Sequence, residues 1–221
     1  MKKVSGVIFD MDGLVFDTES VYSRQNIETS KKYNMTGYDA DYYLSEVGLG
    51  EAAVYQKYLK DFKHVGQEDI DAFFEDSREA IWKEFNEQGA PLKPGIMELL
   101  TYLNDHDIPC VICSSNKRVA IDLLLEKANM THLFKGIVSG DDVEHAKPNP
   151  EIVEKAVEML GTKKDETVML EDSLNGIRAS YCAGVPVIMV PDLIAPDAEV
   201  EEKAFSVCPD LFSVLDFVKS V

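Results

Sequence analysis

The chain has 221 residues, of which 45% are hydrophobic and 28% are charged, and its formal net charge is -18. This profile is typical of a globular protein with one domain and a large insertion, or with two unequal domains. So strong a negative charge disfavours nucleic acid and anionic membrane surfaces as partners, and we expect neither. Any phosphate site must then be made locally positive by a metal ion, a lysine or helix N-termini.

Cysteine usage and hydropathy predict a cytoplasmic protein. Cys110 and Cys113 lie in an apolar, strand-like run, and Cys182 and Cys208 are scattered further on. We interpret all four as reduced thiols that pack as small hydrophobic residues. No run approaches the roughly 18 apolar residues that a membrane span needs, so we expect no membrane association.

Short apolar runs predict the strands of a buried sheet, and helical patterns separate them. Apolar residues at the spacing i, i+3, i+4, i+7 occur in 96–103, in 121–128 and in 152–160. Strands that alternate with such helices predict an α/β fold, a Rossmann-like parallel sheet with helices on both faces. The predicted strands are 4–9, 109–113, 136–138, 167–170 and 186–190, with a weaker sixth at 205–208.

Residues 18–88 interrupt this alternation. They contain no convincing strand, and Tyr55, Tyr58 and Phe62 belong to a helical stripe of apolar residues. The segment is interpreted as an α-helical insertion after the first strand, and Pro91 lies where the sheet domain resumes. We therefore predict an α/β core domain of residues 1–17 and 89–221, and an α-helical cap domain of residues 18–88.

Polar side chains follow the predicted strands at the points where the strands end. Ligand sites of open α/β sheets lie beyond the carboxyl ends of the strands, and these ends meet at one edge. We expect these side chains to converge there. Asp141 and Asp142, after the third strand, are expected in a solvated loop, with assistance to a metal site as the alternative. The candidate site residues are Asp10, Asp12, Ser114, Ser115, Asn116, Lys147, Glu171 and Asp172.

The residue types in this set favour magnesium and phosphoryl transfer. Carboxylate and carbonyl oxygens suit Mg²⁺, and these segments contain no histidine or cysteine that would suit zinc. An aspartate can attack phosphorus, and a second carboxylate can serve as acid and then base. Ser114 can donate hydrogen bonds to a phosphate, and Lys147 can add a point charge. Ser115 and Asn116 are candidate substrate contacts or helix caps.

Four motifs, in order along nearly the whole chain, resemble those of the haloacid dehalogenase-like (HAD) hydrolase superfamily. The helical insertion resembles the cap of the subgroup that includes β-phosphoglucomutase and many small-molecule phosphatases. Each motif alone is short, but each here follows a predicted strand. The matching segments are Phe9-Asp10-Met11-Asp12-Gly13-Leu14 with Asp17-Thr18-Glu19, then Ser114, then Lys147-Pro148, and finally Glu171-Asp172-Ser173-Leu174-Asn175-Gly176.

The resemblance implies a role for each matching residue. Asp10 would be the nucleophile and Asp12 the acid and base. Asp10, the backbone carbonyl of Asp12 and Asp172 would bind Mg²⁺, with Glu171 in or beside the coordination shell. Two further residues would hold the phosphoryl group, namely Ser114 and Lys147.

We therefore predict a Mg²⁺-dependent phosphatase that hydrolyses a small phosphomonoester, a sugar phosphate or a nucleoside monophosphate, through an aspartyl-phosphate. The cap would close over the bound ester and exclude bulk water. The partner would be a small phosphorylated metabolite, and the protein a monomer or a weak homodimer. A dehalogenase would have no need of Asp12, because a halide leaves without a proton.

Two alternatives stay open at this point. A β-phosphoglucomutase-like mutase would need extra cationic or imidazole groups on the cap, yet the stretch 17–22 has no histidine and 45–51 no lysine or arginine. A non-catalytic, phosphate-responsive binding protein would be expected to have lost the nucleophile, the acid or a metal ligand, whereas all of these are intact.

Overall fold

The computed structural model describes residues 3–221, and the chain divides into two compact units. The first unit comprises Met1–Asp17 and Pro91–Val221, and the second comprises Thr18–Ala90. The first contains a sheet and its flanking helices, and the second is helical. That residues 18–88 act as a cap stays a prediction.

The sheet of the first unit has six parallel strands in the order β3-β2-β1-β4-β5-β6. The central strand β1 places Phe9 opposite Ile112 of β2 and Leu170 of β4, so these three strands end at the same edge. The strands are β1 Gly6–Phe9, β2 Cys110–Cys113, β3 Gly136–Val138, β4 Thr167–Glu171, β5 Val187–Met189 and β6 Ser206–Val207.

Ten α-helices lie within residues 3–221. The second unit contains α1 Thr18–Lys32, α2 Ala40–Leu44, α3 Glu51–Asp61 and α4 Gln67–Gln88. The first unit contains α5 Ile96–Asp105, α6 Arg118–Lys127, α7 Glu151–Leu160, α8 Leu174–Ala183, α9 Ala198–Lys203 and α10 Leu211–Lys219.

Burial explains why the strands are continuous apolar runs in the sequence. Every residue of β1, β2 and β4 is buried, as expected for parallel strands covered on both faces. Ile8, Val111 and Met169 belong to a core cluster that also contains buried residues of α7 and α8. The predicted α/β fold class is confirmed, and so is the absence of strands from 18–88.

The second unit has an aromatic core of its own. Tyr38, Tyr58 and Phe73 are buried and their rings pack at centroid distances of 5.6 to 5.8 Å. The side chains of Tyr58 and Phe73 lie on α3 and α4, and Tyr58 belongs to the helical stripe of apolar residues noted in the sequence. The aromatic stripes thus form the hydrophobic core of this unit.

Two expectations about the environment of the protein have different outcomes. In the part of the chain that the structure describes, no helix combines the length and the apolar character that crossing a bilayer requires. Cys110, Cys113 and Cys208 are buried free thiols as expected, whereas Cys182 is exposed, so the interpretation as a packed hydrophobic residue is wrong there. The cytoplasmic location stays a prediction.

Candidate active site

The end of β1 brings two aspartates into one turn. The Asp10 amide still donates to the Leu170 carbonyl of β4 at 3.0 Å, so Asp10 continues the ladder beyond the strand. The chain then turns at Gly13, which has φ +72° and donates to the Phe16 carbonyl at 2.9 Å. The charge of Asp12 contributes to the raised pKa of Asp10, so the turn keeps both carboxylates in one neighbourhood.

Lys147 connects the ends of three strands. Its ammonium donates to Asp10 Oδ1 at 2.5 Å, to Glu171 Oε2 at 3.0 Å and to the Cys113 carbonyl at 3.0 Å. The side chain is only 5% exposed. Burial acts to lower the pKa of Lys147, but Asp10 and Glu171 outweigh it and hold the pKa well above its usual range. Lys147 is therefore a buried, charged centre of the site.

Three carboxylates crowd around this lysine. Asp10, Glu171 and Asp172 each offer an oxygen, and these oxygens all lie within 4.8 Å of one another. Burial, followed by repulsion from Glu171, raises the pKa of Asp10 to about 8. Burial, then Glu171 and Asp10, also raise the pKa of Asp172 well above its usual range. One lysine cannot neutralise three carboxylates, two of them buried and one half-buried, so the cluster disfavours the charged forms of its own acids.

The cluster fits a hard divalent cation. Its donors are carboxylate oxygens, the ligands that Mg²⁺ and Ca²⁺ prefer, and it contains neither histidine nor cysteine side chains. A divalent ion would supply the positive charge that Lys147 alone does not. The donor chemistry and the charge both suit the ion that the sequence predicts.

Two glycines give the carboxylates room. A Cβ on Gly13 would lie 2.4 Å from Asp172 Oδ2, and a Cβ on Gly176 would lie 2.1 Å from the Glu171 carboxyl carbon. Both distances are far shorter than any van der Waals contact. Backbone without a side chain is therefore required on both sides of the cluster.

Asp12 has a partner that the sequence did not suggest. The Asn116 side-chain amide donates to Asp12 Oδ2 at 2.8 Å, across the neighbouring ends of β1 and β2. Asn116 was expected to contact substrate or to cap a helix, whereas here it holds a carboxylate. A contact of Asn116 with substrate stays a prediction.

The two serines after β2 differ in their surroundings. Ser114 is buried, and its backbone amide donates to the Val138 carbonyl at 3.1 Å. Its hydroxyl oxygen accepts from the backbone amide of Asn116 at 3.1 Å. Ser115 is exposed. The structure thus places Ser114 at the same sheet edge as Lys147, and the phosphate-binding roles of both residues stay predictions.

Asp141 and Asp142 lie outside the carboxylate cluster, and each accepts local hydrogen bonds. Asp141 Oδ2 accepts from the Arg118 amide at 2.8 Å, at the start of α6. Asp142 Oδ2 accepts from the amide and the hydroxyl of Ser139 at 2.8 and 2.6 Å. Both residues are exposed, as expected for a solvated loop, and their carboxylates also accept hydrogen bonds that fix local turns.

Sequence reasoning missed Lys93 and Asp192. Asp192 follows β5 at the same edge as the other candidate residues, and its Oδ1 accepts from Lys93 Nζ at 2.6 Å. The rule that predicted the site, polar residues after strand ends, applies to β5 as well. Val190 and Pro191 separate Asp192 from the strand and obscured that signal.

The chain is similar in sequence to known proteins. A sequence model described as haloacid dehalogenase-like hydrolase matches residues 7–190. The Arabidopsis thaliana protein Suppressor of Quenching 1, chloroplastic, is 31% identical over 193 residues, which cover 85% of this chain but only 18% of that protein. A Thermotoga maritima protein named phosphorylated carbohydrates phosphatase is 28% identical over 192 residues, 82% of each chain.

A solved structure supports the fold. A crystal structure of a Thermotoga maritima protein, provisionally named a beta-phosphoglucomutase, superposes with a TM-score of 0.83 and 24% identity, covering 99% of this chain and 100% of that one. At this identity the likeness shows the fold alone. Because the family match spans most of the chain, the resemblance seen in the motifs is confirmed, and the chain belongs to the haloacid dehalogenase-like hydrolase family.

Proposed function

We propose that the protein is a Mg²⁺-dependent phosphatase that hydrolyses a small phosphomonoester through an aspartyl-phosphate. One observation carries the proposal: the two aspartates that follow β1 have different surroundings. Asp10 is buried, belongs to the carboxylate cluster and accepts a hydrogen bond from Lys147. Asp12 lies outside that cluster and is held by Asn116. Two neighbouring carboxylates with different partners are suited to two different roles.

In the first step Asp10 is the nucleophile. A carboxylate oxygen of Asp10 forms a bond to phosphorus while the bond from phosphorus to the leaving oxygen breaks. Asp12 gives its proton to that oxygen, and the product leaves as an alcohol. Asn116 keeps the Asp12 carboxyl in one place through the 2.8 Å hydrogen bond.

Asp10 must be ionised to attack, and its surroundings in the metal-free protein oppose this. Burial and Glu171 raise the pKa of Asp10 to about 8. Asp10, Asp172 and the Asp12 carbonyl would hold Mg²⁺, with Glu171 in or beside the coordination shell. When bound, Mg²⁺ supplies positive charge that favours the ionised carboxylate and lets it approach an anionic ester.

In the second step water attacks phosphorus and Asp12 acts as the base. Asp12 takes a proton from the water, the bond between Asp10 and phosphorus breaks, and inorganic phosphate leaves. Asp12 is then protonated again, so the cycle closes without another reactant. Lys147 and Ser114 are proposed to hold the phosphoryl oxygens in both steps.

The substrate class is proposed to be a sugar phosphate or a nucleoside monophosphate. The name of the Thermotoga maritima relative, a phosphatase of phosphorylated carbohydrates, supports the first. We further propose that the helical segment 18–88 selects the ester. A mutase stays less favoured, because 17–22 has no histidine and 45–51 has no lysine or arginine.

The test is phosphate release from a panel of phosphomonoesters, with Mg²⁺ and with EDTA. Metal-dependent release concentrated on a few esters is the expected result, and Asp10→Asn should abolish it. The panel includes β-glucose 1-phosphate with coupled detection of glucose 6-phosphate. Appearance of glucose 6-phosphate with little free phosphate would show a mutase, and binding of Mg²⁺ and BeF₃⁻ without any turnover would show a binding protein.

A further inference from the structure

Asp192 has a buried carboxylate oxygen that the protein does not satisfy. Its side chain is 9% exposed, and Oδ1 accepts from Lys93 Nζ at 2.6 Å. Its Oδ2 is buried and has no hydrogen-bond partner among residues 3–221. A buried polar atom without a partner costs about 1–3 kcal/mol, so such an atom calls for an explanation.

The position of Asp192 Oδ2 suggests why it lacks a partner within the described part of the chain. A Cβ on Gly13 would lie 3.0 Å from Asp192 Oδ2 and 2.4 Å from Asp172 Oδ2. Both oxygens therefore lie close to the same residue, Gly13, in the turn that follows β1. The unsatisfied oxygen is directed to the border of the carboxylate cluster that Asp172 shares with Asp10 and Glu171.

Lys93 is fixed to the same turn. Its backbone amide donates to the Val15 carbonyl at 3.0 Å, and Phe16 forms a bridge with Leu92. The ammonium of Lys93 therefore approaches Asp192 from a backbone that is bonded to the turn after Asp12. This arrangement holds one oxygen of Asp192 and leaves the other free to face the cluster.

We propose that Asp192 is an outer acceptor of the metal site, which takes a hydrogen bond on Oδ2 from the hydration shell of the bound divalent cation, and that Lys93 positions it. The inference rests on the proposed cation at the carboxylate cluster. Mg²⁺ usually keeps several waters, which need acceptors. Residues that orient metal ligands from outside commonly change metal affinity 10- to 100-fold when mutated.

The competing explanation is an ion pair that only stabilises the fold. In that case the loss of Asp192 would lower stability and leave cation binding unchanged. Asp192→Asn separates the two explanations. Its single carbonyl oxygen would remain with Lys93, and its NH₂ group would face the cluster and could not accept a hydrogen bond.

The experiment is calorimetric titration of Mg²⁺ into the metal-free full-length protein, paired with melting temperatures in EDTA and in excess Mg²⁺. We expect Asp192→Asn to weaken Mg²⁺ binding about 10- to 100-fold and to shrink the Mg²⁺-induced rise in melting temperature. The melting temperature in EDTA establishes that the variant folds. Unchanged Mg²⁺ affinity would overturn the proposal.

Two further variants serve as references. Glu154→Gln removes one negative charge from an exposed ion pair with Lys164 and should leave Mg²⁺ affinity unchanged. Asp172→Asn removes a proposed direct ligand and should weaken binding more than Asp192→Asn does. Equal losses in the two variants would overturn the outer position, because Asp192 would then be a direct ligand.

Lys93→Met tests the positioning step. If Asp192 acted through its charge alone, removal of the neighbouring positive charge would tighten Mg²⁺ binding. If Lys93 holds Asp192 in place, the affinity should instead fall, and this is the expected result. Tighter binding in Lys93→Met would overturn the positioning role.

Failure of this inference differs from failure of the proposed function. Wild-type protein that binds Mg²⁺ and releases phosphate, with an Asp192→Asn variant that binds equally well, would overturn the inference alone. Mg²⁺ binding that depends on Asp192 without turnover of any ester would overturn the phosphatase and sustain the inference. Wild-type protein that binds no Mg²⁺ would overturn both.

Discussion

The two units of the molecule each bury carboxylates, but they surround them differently. In the helical unit Glu46 is 6% exposed, and its Oε1 accepts hydrogen bonds from the hydroxyls of Tyr38 and Tyr58. In the α/β unit, Asp10 and its carboxylate neighbours share one lysine, Lys147. Neutral hydroxyl donors surround the first acid, and other acids surround the second.

The difference separates a structural acid from a functional one. Burial raises the pKa of Glu46, and the tyrosine hydrogen bonds act against this effect, so neighbouring groups partly offset the cost of burying this acid. At Asp10 the neighbouring carboxylates add to the effect of burial. Like charges brought together without enough donors are relieved by a bound proton or a bound cation, and this makes the second cluster the candidate active site.

The largest expected effect is a loss of activity when an acid is replaced by its amide in the α/β unit, compared with the same kind of replacement in the helical unit. Asp10→Asn should reduce phosphate release at least about a thousandfold, because the proposed nucleophile is lost. Its unfolding free energy in EDTA should not fall, since the raised pKa of Asp10 means that the site already disfavours the charged carboxylate in the metal-free protein. Glu46→Gln, the matched control, should retain phosphate release. If Asp10→Asn hydrolysed the preferred ester at the wild-type rate, the proposed mechanism would be contradicted.

The pH dependence of the metal-free protein is the next largest effect. The pKa of Asp10 is raised from an ordinary value near 4 to about 8, so between these values the folded state holds a proton that the unfolded state has lost. Through Asp10 alone, the unfolding free energy should therefore fall as the pH rises from 5 to 8, by up to about 1.4 kcal/mol per unit.

Urea denaturation in EDTA at several pH values measures this slope. Comparison with Asp10→Asn isolates the contribution of Asp10, because the raised pKa values of Asp172 and Glu46 act in the same direction and both groups are present in both proteins. The slope should flatten in the variant and in wild-type protein saturated with Mg²⁺. If the metal-free protein became more stable as the pH rises towards 8, the pKa of Asp10 would not be raised by its carboxylate neighbours as described.

Truncation of the structural acid should lower stability. Glu46→Ala removes the acceptor of two buried tyrosine hydroxyls, which lie 2.9 Å from each other. We expect a loss of about 2–3 kcal/mol in unfolding free energy, independent of Mg²⁺. Urea denaturation with and without Mg²⁺ measures it. A loss that Mg²⁺ restores would make Glu46 part of a cation site and would break the comparison.

The smallest effect concerns one hydroxyl. Tyr58→Phe leaves Tyr38 as the remaining donor to Glu46 and should cost about 1 kcal/mol. Tyr55→Phe removes a hydroxyl that donates to Asp71 at an exposed position, and it should cost less. If urea denaturation gave equal losses of unfolding free energy in Tyr58→Phe and Tyr55→Phe, burial would not strengthen the hydrogen bonds between the tyrosines and Glu46.

The sequence predicted the sheet and much of the site because both depend on local pattern. Strands buried on both faces must be apolar throughout, so β1, β2 and β4 are visible as short hydrophobic runs. The carboxyl ends of neighbouring parallel strands then bring the residues that follow them to one edge. Asp10 and Glu171 meet at Lys147 for this reason.

What the sequence did not predict depends on contacts between distant side chains. Nothing local indicates that Asn116 holds Asp12, 104 residues away, or that Lys93 holds Asp192. Glu46 appears in the sequence as an ordinary charged residue beside a glycine-rich stretch. Its burial follows from tyrosines at 38 and 58 that fold over it, and no periodic pattern reports such an event.

Gly13 and Gly176 have a consequence for how this chain can vary. Neither has a functional group, yet a single methyl group at either position would occupy the space of a carboxylate, Asp172 in one case and Glu171 in the other. In a saturation mutagenesis survey scored on catalysis, both positions should be as intolerant as the nucleophile. The arrangement of the reactive side chains therefore depends on Gly13 and Gly176, although neither glycine carries a reactive group.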